Sequence, residues 1–268
     1  MPTVLLLVPA DPFAPKRPDP AFAAEATAAR ELGWGVATVD HDTLDLRGVV
    51  DGPAVYRGWM FSADRYAALV ERLPALRTDG ETYRRAHHLP GWYDALADHT
   101  PASRWVDGAD VDGLVSVAAE LGGPLVLRDF VKSEKHDWDE AAFVPDGSDG
   151  DGVRRVAERF LELRSPAFEG GLVVRRFERF VGAETRAWWI DGEVGLVTPH
   201  PDAPAGTELL ALPDGVAAAL GQLELRFASV DLVLDDTGRV RVVEVGDGQV
   251  SGLHASVEPT ELLRLLGG

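Results

Sequence analysis

Val240-Arg241-Val242-Val243-Glu244-Val245-Gly246-Asp247-Gly248-Gln249-Val250-Ser251-Gly252-Leu253-His254 is the stretch from which the rest of the chain is read. A β-branched run suited to a buried strand carries Glu244 near its end, then breaks into a loop with three glycines, Asp247, Gln249 and Ser251. Upstream, Ser229–Leu234 is a second strand-like run with one carboxylate, Asp231, inside it, and Asp235-Asp236-Thr237-Gly238 reads as a hairpin turn. The two runs are therefore expected to lie adjacent and antiparallel, with their carboxylates facing each other. Buried acids that converge without a lysine or arginine between them usually need a hard divalent cation. The alternative is an ordinary hairpin with both acids on a solvated face, and the hairpin alone leaves that choice open.

Composition narrows the options. The 268 residues carry 26 Lys+Arg against 44 Asp+Glu, a formal net charge of −18, which argues against nucleic-acid backbones and anionic membrane surfaces as partners. Any polyphosphate must be met by a local cationic cluster. Cysteine is absent, which excludes disulfides, thiolate nucleophiles and cysteine-ligated metals, and 46% hydrophobic residues support real cores. Met1–Ala10 lacks a basic leader region, and no later run approaches the ~20 apolar residues of a membrane span. The reading is a soluble, cytoplasmic protein.

Along the chain, Thr3–Val8, Ala21–Leu32 and Gly35–Val39 form a β-α-β pattern, with a proline-rich loop at Pro9–Pro20 where parallel sheets place ligand loops. Ala54–Met60 reads as a strand holding Arg57 in apolar surroundings, and Ala63–Leu73 as a helix. His87 and His88 point in different directions, so they are read as a packed or solvated pair and not as metal ligands. A new domain is expected near residue 100: helix Val111–Leu121, strand Leu125–Val131, a mobile acidic loop Asp139–Gly152, helix Asp151–Leu163, strand Gly171–Phe177, hairpin Val181–Thr198, helix Ala217–Leu225 and a last helix at Pro259–Leu266.

Lysine is the informative residue. There are three, Lys16, Lys132 and Lys135, so arginine supplies 23 of the 26 basic residues, yet two of the lysines fall in one four-residue span. An ammonium on a flexible stem suits polyphosphate oxygens, and Arg128 shares a strand face with Lys132. The alternative is solvated charge at a strand end. Downstream, Leu172–Glu178 leaves an apolar strand for a polar connector that could offer backbone groups to an adenine edge.

Taken in order, these residues resemble the ATP-grasp superfamily, and more narrowly the clade with an arginine and lysines on the first nucleotide-facing strand. The match is carried by Val55–Met60, Arg128–Ser133, Lys135–Trp138 and Glu244–Leu253, and it covers nearly the whole chain. The resemblance implies an α+β ATP-grasp fold of two lobes (101–178 and 179–268) preceded by a Rossmann-like pre-ATP-grasp β/α domain (1–100). It implies ATP and Mg²⁺ as cofactors. Phosphate contacts would come from Arg128, Lys132 and Lys135, nucleotide contacts from Arg175, Arg176, Phe177, Glu178 and Glu184, metal ligands from Asp231, Glu244 and Asp247, and a catalytic role would fall to Arg186 beside Arg128 and the two lysines. Two departures stand out: Asp247 where the family usually has Asn, and no glycine-rich phosphate loop, so that Ser133–Gly152 is expected to cover the phosphates. The implied activity is a carboxylate–amine or carboxylate–thiol ligase acting through an acyl phosphate on small-molecule or peptide substrates. Arg57, Arg186, Gln249, Ser251 and His254 are candidates for holding the acceptor carboxylate, although Arg57 could instead bridge domains and Gln249 tie down its own loop. A small-molecule kinase and a non-catalytic nucleotide-binding module are the alternatives.

Overall fold

The computed structural model describes residues 4–49, 52–134, 137–165 and 167–267. Within it the chain forms two compact units, 1–86 with 183–232 and 244–268, and 87–182 with 233–243. This division cuts across the expected consecutive segments 1–100, 101–178 and 179–268.

In the first unit, strand β1 (Leu5–Asp11) is apolar and buried from Leu5 to Ala10, so both its edges can be paired. It runs parallel to β3 (Gly35–Val39) on one side and to β5 (Ala54–Tyr56) on the other. Helix α1 (Ala23–Glu31) connects β1 to β3, as the β-α-β pattern requires. The proline-rich stretch after β1 is not the open loop expected for Pro9–Pro20. Ala14–Pro18 folds back as β2, antiparallel to the end of β1, and its two prolines sit on an edge strand, where a missing N–H costs no ladder bond. Strand β4 (Leu46–Arg47) closes the other edge, antiparallel to β3, and helices α2 (Ala63–Arg72) and α3 (Gly80–His87) follow.

A second sheet has the order β11-β10-β12-β13, from β10 (Phe180–Ile190), β11 (Glu193–Pro199), β12 (Phe227–Asp235) and β13 (Val240–Asp247). The hairpin expected from Asp235–Gly238 is present, with the N–H of Asp235 donating to the carbonyl of Arg239. Trp188, Ile190 and Phe227 share one hydrophobic core with Leu6, Val8, Ala28 and Val55 and with Leu262, Leu263 and Leu266 of the last helix, α8 (Pro259–Leu266). That common core makes the unit discontinuous in sequence. Helix α7 (Asp214–Gly221) packs on β11.

The second unit is an antiparallel sheet of order β6-β9-β7-β8, from β6 (Ser103–Asp107), β7 (Leu125–Asp129), β8 (Phe143–Val144) and β9 (Gly171–Arg176). Helices α5 (Val111–Leu121) and α6 (Gly150–Arg164) bury Leu114, Ala118, Val153 and Phe160 against Leu125, Leu127, Leu172 and Val174, covering one face. Both begin on an aspartate cap, Asp110 accepting from Gly113 N at 2.9 Å and Asp149 from Gly152 N at 3.1 Å. The segment expected as a mobile loop at Asp139–Gly152 instead contains a wide helical turn, Trp138–Ala142, and strand β8; Ala141, Ala142 and Val144 are buried in the core. Its acidic residues had hidden a short apolar run. Helix α4 (Leu89–Leu96) buries Trp92 and Tyr93, and the two histidines are packed: His87 is buried and His88 Nε2 lies 2.9 Å from Glu169 Oε1. Among the described residues no helix is long and apolar enough to cross a membrane.

Candidate functional site

The cationic stretch leaves the end of β7 through a turn built on Asp129. Its fully buried carboxylate accepts the N–H groups of Val131 at 2.7 Å and Lys132 at 2.6 Å, and the Arg164 guanidinium at 2.8 Å holds its other oxygen. Arg128 is buried inside the same turn, donating to the carbonyls of Asp129 and Val131. Arg128 and Lys132 therefore part company: the arginine braces the turn from within and the lysine is exposed on it. Lys135 lies outside the described residues.

The expected adenine frame is also divided. Arg175 donates to Val243 O and Thr100 Oγ1, both at 2.8 Å, and Arg176 to Leu121 O at 2.6 Å. Glu178 is gripped by both prongs of Arg241 at 2.7 Å. These polar side chains hold the second unit together. Phe177 is different: it is exposed, and its ring meets the edge of Phe143 at 5.5 Å and of Trp138 at 6.3 Å. Strand register places Val126 opposite both Arg175 and Phe143, so these side chains share the sheet face turned away from α5 and α6. Sequence reasoning missed Trp138 and Phe143 because they sit in the segment read as loop.

In the first unit the acids converge on Arg186. Its Nε and Nη2 donate to the two oxygens of Asp231 at 2.8 and 2.9 Å, and Nη1 donates to Gly252 O at 2.9 Å. Burial works against the charge of Arg186, yet the hydrogen bonds to Asp231 and the charges of Asp231, Glu244 and Glu184 outweigh it and raise its pKa. Expected metal ligands Asp231 and Glu244, and the expected nucleotide contact Glu184, thus surround one guanidinium. His200, at the end of β11 and absent from the sequence reading, completes the group: one ligand atom from each of Glu184, His200 and Asp231 lies within 4.8 Å of the others. The N–H of Asp202 donates to His200 Nδ1 at 3.2 Å, which leaves the ring proton on Nε2, 3.8 Å from Asp231 Oδ2. In that tautomer the ring is a hydrogen-bond donor and not a cation ligand.

Asp247 has other partners. It is fully buried, and its Oδ1 accepts from the N–H of Gln249 at 2.9 Å and from Gln249 Nε2 at 3.2 Å. Burial pushes its carboxyl up to about 7, although hydrogen bonds from Gln249 and Thr78 and the charge of Arg57 pull the other way. Gln249 in turn accepts from Tyr56 N at 3.0 Å and donates to Tyr66 Oη at 2.6 Å. Arg57, paired with buried Glu25 at 2.7 and 3.0 Å, donates to Gly248 O and to Ser251 O at 2.8 Å. Of the alternatives read for these two residues, the observed contacts are the structural ones. A Cβ on Gly248 would come within 2.5 Å of the Phe227 ring, so this loop needs a glycine to approach the sheet. Ser251 Oγ meets Ser229 Oγ at 2.7 Å, and His254 spans Ser256 Oγ and Ala203 O.

A family model matches residues 119–266, more than half of the chain; it describes an ATP-grasp domain, family 3 of the clade named for one arginine and two lysines. The chain belongs to that family. Its fold is that of several solved structures: an ATP-grasp RimK domain protein from Sphaerobacter thermophilus (19% identity, TM-score 0.64, 98% of this chain and 100% of that one) and the D-cycloserine synthetase DcsG (16%, 0.65, 98% of each). The ATP-grasp ligase PsnB, solved with a minimal precursor, Mg and ADP, is a third (13%, 0.56, 98% of this chain and 96% of that one). No curated protein sequence matches the chain.

The fold family implies a divalent cation travelling with the nucleotide. Asp231, Glu244 and Glu184 are hard oxygen donors around a positive centre, a set whose chemistry suits Mg²⁺. Asp247, bound to Gln249, is not placed among them.

Proposed function

We propose that the protein is an ATP-dependent ligase that activates a carboxylate as an acyl phosphate and joins it to an amine or, by the same route, a thiol. The family match over residues 119–266 carries this reading, because that span includes Lys132, Arg186, Asp231 and Glu244 together. A carboxylate oxygen of the substrate attacks the γ-phosphorus of ATP, the bond to the bridging oxygen breaks and ADP leaves. The amine nitrogen then attacks the acyl carbon, the carbon–oxygen bond to phosphate breaks, and a proton passes from nitrogen to solvent. Neither half needs an enzyme nucleophile, so alignment and charge carry the catalysis, which fits a chain without cysteine.

Lys132, exposed on a pinned turn, brings a mobile ammonium to phosphate oxygens, while Arg128 keeps that turn in shape. Phe177, Phe143 and Trp138 offer a flat apolar surface for a purine. Asp231, Glu244 and Glu184 would hold Mg²⁺, which when bound neutralises phosphate charge. The substrate class is a small carboxylate or a peptide.

Lys132→Ala is expected to lower ATP turnover with a productive substrate by about 100-fold, the usual cost of one stabilising donor. Wild-type turnover in that variant sinks the assignment. Mass spectrometry of the products separates an amide with ADP and phosphate from the stable phosphorylated acceptor that a kinase would leave. A screen of amino acids and short peptides for ADP release finds the substrate.

A further inference from the structure

We propose that Arg186 makes cation binding conditional on nucleotide: its guanidinium occupies the carboxylate cluster of Glu184, Asp231 and Glu244 in the unliganded protein, so a divalent cation is held tightly only when phosphates arrive with it. The inference rests on the ligase reading and adds regulation to the same site.

The geometry is specific. Arg186 uses both prongs of its fork on Asp231, at 2.8 and 2.9 Å, with both side chains buried, and fixes its remaining nitrogen on Gly252 O at 2.9 Å. This is the strongest form of arginine–carboxylate contact, and it covers both oxygens that a cation would need at about 2.0–2.6 Å. Three carboxylates against one guanidinium leave the cluster negative, so it still attracts a divalent cation. The bare cation, however, must share Asp231 with a fixed positive charge a few ångströms away, in surroundings that screen poorly. Nucleotide phosphates change that balance. They supply acceptors for the guanidinium and further oxygens for the cation, so each ligand should strengthen the other's binding by the same factor. The neighbouring ring does not relieve the competition, because His200 turns its Nε2 proton toward Asp231. Asp247, three residues beyond Glu244, is engaged by Gln249 and takes no part.

The test is titration of the whole protein with Mn²⁺, read by calorimetry and by the loss of the free-ion electron paramagnetic resonance signal, with and without ADP. Wild type is expected to bind Mn²⁺ at least about tenfold more tightly with ADP, which corresponds to about 1.4 kcal/mol of coupling. Arg186→Gln should bind Mn²⁺ without ADP at least about tenfold more tightly than wild type and lose most of the ADP dependence. Asp231→Asn should bind poorly in both conditions, and Asp247→Asn should follow wild type. Equal Mn²⁺ affinity of wild type with and without ADP overturns the proposal whatever the variants do. So does an Arg186→Gln protein with wild-type affinities, or an Asp247→Asn protein that loses the metal as Asp231→Asn does. Those results leave the ligase reading standing, whereas a wild-type protein that binds neither ADP nor Mn²⁺–ADP removes both.

Discussion

Asp247 is a carboxyl group enclosed on every side, and its ionisation has to be reflected in stability. Its folded pKa of about 7 lies above the ordinary 3.8, because burial disfavours the charged form. Between those values the folded state binds more protons than the unfolded one, so stability falls as pH rises from about 4 to 7, then stays at the lower level. The contribution lost is on the order of 4 kcal/mol. Asp247→Asn keeps the acceptor for Gln249 and removes the titration. Urea unfolding of this variant at pH 4 and pH 8 should show a decline smaller by that order than in wild type, and parallel declines would refute the assignment. The sequence marked Asp247 as a metal ligand because an acid in a glycine-rich loop after a strand looks like one. What decides its role are Tyr56, Tyr66 and Thr78, some 170 to 190 residues earlier, and one chain's pattern carries no signal for that enclosure. Glu244 and Asp231 were legible because their spacing alone puts them on neighbouring strands, whereas His200 was not, since a histidine ending an edge strand looks like surface.

At the scale of elements, the loop after β13 is held by residues of the β/α sheet more than by its own turn. Arg57 is the chief tie, bridging Glu25 to the carbonyls of Gly248 and Ser251. Arg57→Ala would leave Glu25 and both carbonyls without their partner, a loss of about 3–5 kcal/mol. Thermal unfolding should fall accordingly, and the Mn²⁺–ADP affinity should weaken, because Arg186 bonds Gly252 one residue beyond. An unchanged melting temperature would show the tie to be dispensable. Periodic elements were legible to the residue where caps or breakers bound them: α5 between Asp110 and Gly122, β3 after Gly33, α8 from Pro259. Elements made by long-range pairing were not. Strand β2 is proline-bearing and β8 has two residues, so neither carries a local pattern, and each exists because a partner strand offers its edge.

For the whole molecule, the first unit gathers three separate stretches of chain around one core, in which α8 seals the packing of α1, β1, β5, β10 and β12. The last ten residues therefore stabilise a sheet begun by the first ten. Leu263 is fully buried in that core, and replacing it with alanine removes three carbons from a site walled by elements of distant sequence origin. The cost of such a truncation is about 2–5 kcal/mol, toward the upper end where the walls cannot collapse into the gap. Leu263→Ala should accordingly lower the urea midpoint with an unchanged slope, and hydrogen exchange should quicken in β1 and β3 as well as in α8, since a shared core opens as one cooperative unit. Faster exchange confined to α8 would mean that the helix frays alone and that the N-terminal sheet keeps its core without it.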